Sequence, residues 1–398
     1  MNWKRVSIDS ISEVVTKGTT PTSIGFGFAT EGIPFLRVNN IQNGKLIIDD
    51  ILFINSVTDK ALARSRILPR DPLVSIAGTI GRTAIVPPDA TAMNCNQAVA
   101  IVRLHKDVNP RYINYWLRTN DAKKQISGAK VTATISNLSL GCIKELQVPL
   151  PPIAQQRRIA EILDRADAIR RKRQEAIRLT EELLRSAFLE MFGDPVTNPK
   201  GWEVVSLGEI SKVQGGLQVT TKRDSNPLEA PYLRVANVYR DRLVLDEIKI
   251  IRVTQQELDR ATLDAGDLLI VEGHGNNKEI GRSSVWDGSI PNCTHQNHLI
   301  RVRLNLEKAD PTYISAFLNS SGGRRQLTQF GKTTSGLNTI STSNVKAAKI
   351  MLPSPSEQRK YAKVKQRGST CSDSHQKNLE KLNDLFISLL QSAFRGEL

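Results

Sequence analysis

Cysteine is scarce in this chain, with four in 398 residues. Cys95, Cys142, Cys293 and Cys371 lie far apart and form no CxxC pair. That spacing excludes a disulfide framework, a zinc knuckle and a paired redox thiol, and it fits a reducing cytoplasm. No apolar run approaches the roughly 18 residues that a membrane helix needs, and no signal-peptide pattern opens the chain, so neither insertion nor export is expected. Nucleotide-cradle chemistry is missing as well. GAKVT at Gly128 and GKTTSG at Gly331 lack the spacing of a phosphate-binding loop. HExxH, GxSxG and a clear carboxylate dyad are all absent, which removes the common hydrolase signatures. Acid is in deficit, with 40 Asp and Glu against 55 Lys and Arg, a net charge of +15. Such an excess attracts polyanions at long range, nucleic acid first and an acidic protein surface second.

What is present is written twice. WKRVSIDSIS at Trp3 is echoed by WEVVSLGEIS at Trp202, PFLRVNNI at Pro34 by PYLRVANV at Pro231, and KLIIDDILFI at Lys45 by RLVLDEIKII at Arg242. IGR at Ile80 returns at Ile280, NPRYINYWL at Asn109 returns as DPTYISAFL at Asp310, and TIS occurs at Thr134 and Thr339. LPPIAQQRRIA from Leu150 returns as LPSPSEQRKYA from Leu352, and SAF at Ser186 returns at Ser392. Landmarks repeated in one order over roughly two hundred residues mean duplication of a whole domain with a helix attached, because solenoid repeats are far shorter.

Within each copy, alternating or continuous apolar runs such as AVAIVRL and DLLIVEG read as strands separated by Gly, Asn, Asp and Pro. One short helix is expected after Asn109-Pro110 and after Asp310-Pro311, where proline suits a first helical turn. Beyond Pro151-Pro152 the pattern changes. Residues 154–192 contain no Pro or Gly and carry apolar side chains at three- and four-residue steps, which predicts a helix of roughly 58 Å at ~1.5 Å per residue. Leu379, Leu382, Phe386, Leu389 and Ala393 step like a coiled-coil seam. Residues 365–378 lose that period and include Gly368, so the second helix is expected to be shorter or kinked, or else a damaged copy. The fold expected is α+β: tandem duplicated, mixed but mostly β recognition domains joined by two long antiparallel coiled-coil helices. The expected boundaries are 1–151 for the first domain, 152–193 for a central helical spacer, 194–353 for the second domain and 354–398 for a C-terminal helical spacer.

The paired W…VSI/L…IS openings, the PFLRVNNI and PYLRVANV segments, the IGR turns, the TIS elements and the L-P-x-x-x-[QE]-Q-R helix starts, in this repeated order across the whole chain, resemble the specificity subunit of type I restriction-modification systems. The resemblance implies a non-catalytic DNA-recognition chain whose two target-recognition domains each read one part of a bipartite, asymmetric double-stranded site. It also implies helices that act as a ruler and dock two modification subunits, which methylate adenine with S-adenosylmethionine, and restriction subunits that join the complex. No cofactor is expected in this chain itself. It lacks both an N-P-P-[FY] tetrapeptide and a glycine-rich turn of the kind that holds S-adenosylmethionine. Two other readings stay open: a DNA-modifying or nicking enzyme with unfamiliar motifs, which turnover by the isolated chain would reveal, and a two-domain protein scaffold, which salt-insensitive DNA binding would reveal.

Base edges call for side chains with paired donors and acceptors, and phosphates call for Lys, Arg and backbone N–H groups. In the first domain Lys17, Thr19, Arg37, Asn39, Asn40, Thr79, Arg82, Lys130 and Thr132 meet that demand. In the second, Lys222, Arg223, Arg234, Asn237, His274, Asn276, Asn277, Lys278, Arg282, Lys332 and Asn338 do so. EGHGNNKEIG lengthens the loop before the second IGR and fills it with base-edge chemistry. Arg37 and Arg234 recur in both copies, which points to a shared structural or phosphate role, and IGR could be only a turn. Gln156, Arg157, Gln358 and Arg359, repeated at both helix starts, are the expected subunit-docking or capping residues. Cys293, His295 and His298 resemble a metal cluster, but the first copy lacks the histidines, so no metal is expected.

Overall fold

The computed structural model describes residues 3–42, 44–131, 137–334 and 337–398, with the backbone alone at 129–131, 332–334 and 337. It divides into two compact units, Met1–Gln174 with Lys377–Leu398, and Glu175–Gln376. Each unit therefore holds one recognition domain together with a segment of each long helix.

The two domains repeat one topology. In the first, a six-stranded sheet runs in the order Ser12–Lys17, Val99–Leu104, Pro72–Ser75, Thr83–Ile85, Gly44–Leu46, Ile41–Gln42, beside a four-stranded sheet of Leu52–Ile54, Ile33–Leu36, Met93–Cys95 and Arg66–Ile67. In the second, Ser211–Gly215, Leu299–Leu304, Leu268–Val271 and Ser283–Val285 form the corresponding sheet, and Lys249–Val253, Leu228–Leu233 and Thr294–His295 form the smaller one. Register confirms the duplication. Phe35 and Leu36 run parallel to Asn94 and Cys95, as Tyr232 and Leu233 run parallel to Thr294 and His295. Cys95 thus corresponds to His295, not to Cys293. Each domain is closed by its own ends: Arg5–Ser7 pairs antiparallel with Gln147–Pro149, and Val204–Ser206 with Lys349–Met351.

The repeated helix start follows from what happens next to that closing pair. Proline cannot continue the ladder, so the chain leaves the sheet at Pro151-Pro152 and Pro353. Gln156, 2% exposed, then reaches back. Its Oε1 accepts the N–H of Asn109 at 2.8 Å, and its Nε2 donates to the Pro151 carbonyl at 2.8 Å. Asn109 in turn caps the helix Pro110–Trp116 by accepting from the N–H groups of Arg111 and Tyr112. Gln358, 0% exposed, repeats the arrangement, accepting from Asp310 N–H at 2.8 Å and donating to the carbonyls of Pro353 and Lys308. Tyr112 and Tyr313 complete the join by donating to the carbonyls of Pro149 and Met351. Of the docking or capping roles expected of Gln156 and Gln358, docking is therefore corrected: both amides are buried and hydrogen-bonded within their own unit. Gln358→Ala should lower stability by roughly 1–3 kcal/mol, since it strands a buried N–H, and a thermal melt checks it.

The central helix is Ile153–Phe192, 40 residues. It ends at Gly193, whose φ of +82° is the left-handed conformation of a helix stop, and where a Cβ would fall 2.5 Å from Pro199. The C-terminal helix, Pro355–Arg395, is one continuous element of 41 residues, so it is neither shortened nor broken at 365–378. Gly368 is a point of close approach, because a Cβ there would sit 2.6 Å from the Leu184 side chain. In the second unit Leu184 opposes Gly368 while Phe188 and Phe192 stack around Tyr361 and Tyr313, at centroid distances from 4.7 to 5.9 Å, so the helix segments run antiparallel. In the first unit Arg170 donates to Asn383 at 2.8 Å, and Ile159 and Leu163 share a core with Phe386, Leu390, Ala393, Tyr112 and Trp116. The buried seam uses Leu390, with Leu389 only partly covered, a one-position departure from the expected spacing.

Candidate nucleic-acid interface

The residues expected from sequence to meet DNA fall into three groups once burial is known. The first group is structural. Asn40 is 2% exposed, accepts from Arg37 N–H at 2.8 Å and donates to the carbonyls of Ile47 and Asp50. Asn237, 3% exposed, does the same for Arg234, Val244 and Glu247. Both amides are buried and both of their N–H donors are used, so their DNA-contact assignment is corrected to fastening this loop. Arg37 pairs with Asp50 at 2.8 Å and Arg234 with Glu247 at 3.1 Å, a structural use, where recurrence in both copies points to a structural or a phosphate role. Arg223 is likewise engaged with Glu257 at 2.8 Å.

Arg282 also belongs with the structural residues. Its side chain is 6% exposed, pairs with Glu279 at 3.0 Å, donates to the Val235 carbonyl at 2.8 Å and lies 4.7 Å over the Tyr239 ring. It is a pedestal beneath the loop and not a reader of DNA. Arg82, at the same motif position in the first copy, is half-buried and makes no ion pair among the described residues. Sequence could not separate the two, because the difference lies in Glu279 and Tyr239, which the first copy does not supply.

The second group comes together in space. The loop at 272–282 of the second unit carries the strand Gly273–His274, which pairs with Leu337–Thr339, and that strand pairs with Lys332–Thr334. His274 lies opposite Asn338, and Lys332 opposite Thr339. The His274 ring accepts the Asn276 N–H at Nδ1 (3.0 Å), and Asn276 Oδ1 accepts from Lys278 N–H at 3.0 Å, which sets the turn Asn277–Glu279. Asn276, Asn277 and Lys278 are exposed above it. Arg240, which no sequence motif marks, donates to the Lys278 carbonyl. Burial lowers its pKa, against the pull of Glu279. The result is a three-stranded ribbon with His, Asn and Lys at its tip, on a pinned base.

The first unit builds the same place differently. Residues 76–82 make a tight turn in which Ser75 Oγ donates to the Thr79 carbonyl (2.5 Å) and accepts from Arg82 N–H (2.8 Å). Gly78 and Gly81 supply the positive φ angles, +69° and +86°, that the turn requires. Thr79 is exposed at its tip. Leu138 N–H reaches the Ile76 carbonyl as Ile340 N–H reaches Glu272, so Leu138, two residues past the first TIS, takes the place of Ile340 within the second, and the repeated triplet is out of step with the fold.

The remaining residues stand apart. Lys17 ends the strand Ser12–Lys17, exposed, and Thr19 N–H bonds the Cys95 carbonyl at 3.0 Å. Asn39 and Lys222 are exposed on short turns. Lys130 is in the helix Asn120–Val131, where its side chain, like that of Lys332, lies outside the described part of the structure, as does Thr132 entirely.

The histidine cluster has its own use. His295 is 0% exposed and bonds the Ala261 carbonyl through Nδ1 at 3.2 Å, while His298 faces Glu272 at 3.4 Å. Burial, with help from Arg301, lowers the His295 pKa to about 4, and burial raises that of the Cys293 thiol to about 12. The unfolded imidazole takes its proton near the ordinary ~6.5 while the folded one resists until about 4, so the unfolded chain binds more protons across that window. Stability should therefore fall by about 3 kcal/mol as pH drops from 6.5 to 4, and His295→Leu should flatten that part of a pH–melting profile.

A duplicated scaffold that keeps its fasteners and varies its loops matches a known family. The family described as type I restriction modification DNA specificity domain matches residues 1–179 and again 199–384, and the chain belongs to it. It is a recognition chain and not the catalytic one. Its relatives include the specificity subunit of the type I restriction enzyme EcoKI of Escherichia coli (strain K12), 26% identical over 92% of this chain and 82% of the relative. Another is that of StySPI from Salmonella potsdam, 23% identical over 100% and 89%. Two solved structures share the fold: a chain from a study of complex assembly and conformational transition in the type I R-M system (20% identity, TM-score 0.57, covering 100% of this chain and 98% of that one), and the S subunit from M. genitalium (16%, 0.58, 99% and 96%).

Proposed function

We propose that the two units read two different blocks of one asymmetric DNA site, the first through residues 76–82 and their surroundings and the second through the ribbon around His274 and Asn338. The observation that carries this reading is the contrast between common and variable parts. Asn40 and Asn237, Gln156 and Gln358, and Tyr112 and Tyr313 make the same bonds in both units. The exposed loop before IGR is a tight glycine turn in one and a His/Asn/Lys ribbon in the other. Shared parts position a duplex, and divergent parts discriminate bases. Lys17 and Lys222, exposed and cationic, suit phosphates.

In this reading the helices set the spacing between blocks and dock two modification subunits, with exposed Arg157 on that docking face. The modification subunits carry S-adenosylmethionine and methylate adenine, restriction subunits complete the assembly, and the work takes place in the cytoplasm. No helix among the described residues is long and apolar enough to cross a membrane. The test is co-expression with the modification subunit, followed by genome-wide mapping of methylated adenine. Two short blocks around a fixed gap are expected; a palindrome or a single block would overturn the two-reader scheme. DNA binding by the chain should weaken steeply with added salt, as phosphate neutralisation demands.

A further inference from the structure

The duplication supplies an internal control for one cleft. In the first unit, the face between the helix Pro110–Trp116 and the central helix is filled by charge. Asp164 takes Arg111 at 2.6 Å and the Tyr115 hydroxyl at 2.7 Å. Asp167, 6% exposed, gathers Arg118, Arg170 and Arg171 at 3.9, 2.9 and 3.2 Å. The aligned positions of the second copy are Thr312 for Arg111, Ala316 for Tyr115, Asn319 for Arg118, Gln366 for Asp164 and Ser369 for Asp167. Every filler has been exchanged for something smaller or neutral, and an open cleft of about 540 Å³ stands there, lined by Thr312, Ser369, Asp241, Arg359, Lys363 and Lys365 among others.

The charge of the face has turned over as well. Glu161, Asp164 and Asp167 of the first copy become Lys363, Gln366 and Ser369. Lys365 replaces Leu163 and is held by Asp241 at 3.0 Å, while Asp241 also accepts from Ser315 Oγ at 2.9 Å. That carboxylate is therefore spent on its own lysine. Arg359 and Lys363, one helical turn apart and exposed, make no ion pair among the described residues. Two free cations over a floor of hydroxyls in a concavity of small-ligand size form the chemistry of an oxyanion site.

We infer that this cleft of the second unit binds a phosphate-bearing ligand through Arg359 and Lys363, with the hydroxyls of Thr312 and Ser369 as further donors. The phosphate could belong to a free phosphorylated molecule of nucleotide size or to the DNA backbone, and the chemistry is the same. The inference does not depend on which loops read bases.

Calorimetric titration of the full chain with inorganic pyrophosphate tests it. Saturable binding is expected, weakened about tenfold by Lys363→Glu or by Ser369→Asp, which restores the carboxylate of the first copy; a tenfold loss is what removal of one good ionic interaction gives. Lys363 is exposed and Ser369 half-buried at the cleft, and an unchanged thermal melt confirms that the variants fold. Absence of saturable binding, or equal binding by wild type and both variants, would overturn the proposal. Repeating the titration with sheared duplex DNA bound separates the sources: loss of pyrophosphate binding assigns the cleft to backbone phosphate, and retention assigns it to a free ligand. DNA binding of the same preparations, measured alongside, reports on the recognition loops independently.

Discussion

Replacing His274 and Asn277 together by alanine should change the second block of the methylated site and leave the first untouched. A side chain that hydrogen-bonds a base edge supplies about 1–3 kcal/mol of discrimination, so one or two positions of that block should relax from a single base to several, by roughly ten- to a hundredfold each. Any structural change should stay within the turn, because Asn277 is exposed and the His274 ring bonds only the Asn276 N–H there. Arg282→Ala should act differently. It removes the support under Glu279 and the Val235 carbonyl, so it should weaken overall binding and lower the melting temperature at the same time. A double alanine variant whose methylation map matches the wild type would show that the ribbon does not read bases. Relaxation of both blocks would show that the units are not independent readers.

The second large effect concerns the end of the chain. Phe386 is 6% exposed in the first unit, with the Arg170 guanidinium 4.5 Å and the Arg118 guanidinium 5.4 Å from its ring centre, and with Tyr115 at 6.2 Å. Phe386→Ala should cost about 3–5 kcal/mol, the usual loss for a buried ring plus the cavity it leaves, with the two cations losing their aromatic face as well. Residues 377–398 should then become sensitive to protease while the recognition domain of the first unit stays folded. Ile387→Ala, next door but 52% exposed, is the control and should stay within about 0.5 kcal/mol of wild type. Equal melting curves for the two variants would mean that the C-terminal segment contributes nothing to the first unit. Leu382→Asp, on the same seam but only partly covered, should show a smaller effect of the same kind.

Much of the architecture is legible in the order of residues. The succession of repeated landmarks specifies two copies of one domain, and the long stretch without Pro or Gly specifies the central helix to within a residue or so. The C-terminal helix is harder to read. Residues 365–378 lack an apolar period, and in the second unit they meet Leu184 at a glycine, Gly368, and Asp241 at a lysine, Lys365. A glycine there looks like a helix breaker in sequence and is a contact point in space.

The candidate site is legible as a set of loops but not as a set of roles. Asn39 and Asn40 are neighbours of the same type, yet one is exposed and the other is consumed by three hydrogen bonds. Gln156 and Arg157 look like one repeated surface pair, yet the glutamine is internal and the arginine is outside.

What the sequence determined alone is whatever depends on order and period: duplication, the sites of strand and helix, proline exits from the sheet and the positive charge that favours a polyanion. Which polar residues serve the fold and which face a ligand was decided only by tertiary packing. The physical reason is desolvation. A buried amide must find its partners inside the protein, because an unmet donor or acceptor there costs on the order of 1–3 kcal/mol. Asn40, Asn237 and Gln358 are therefore committed to their neighbours, while the side chains left in water at Asn277 and Arg359 keep their hydrogen-bonding capacity for something else.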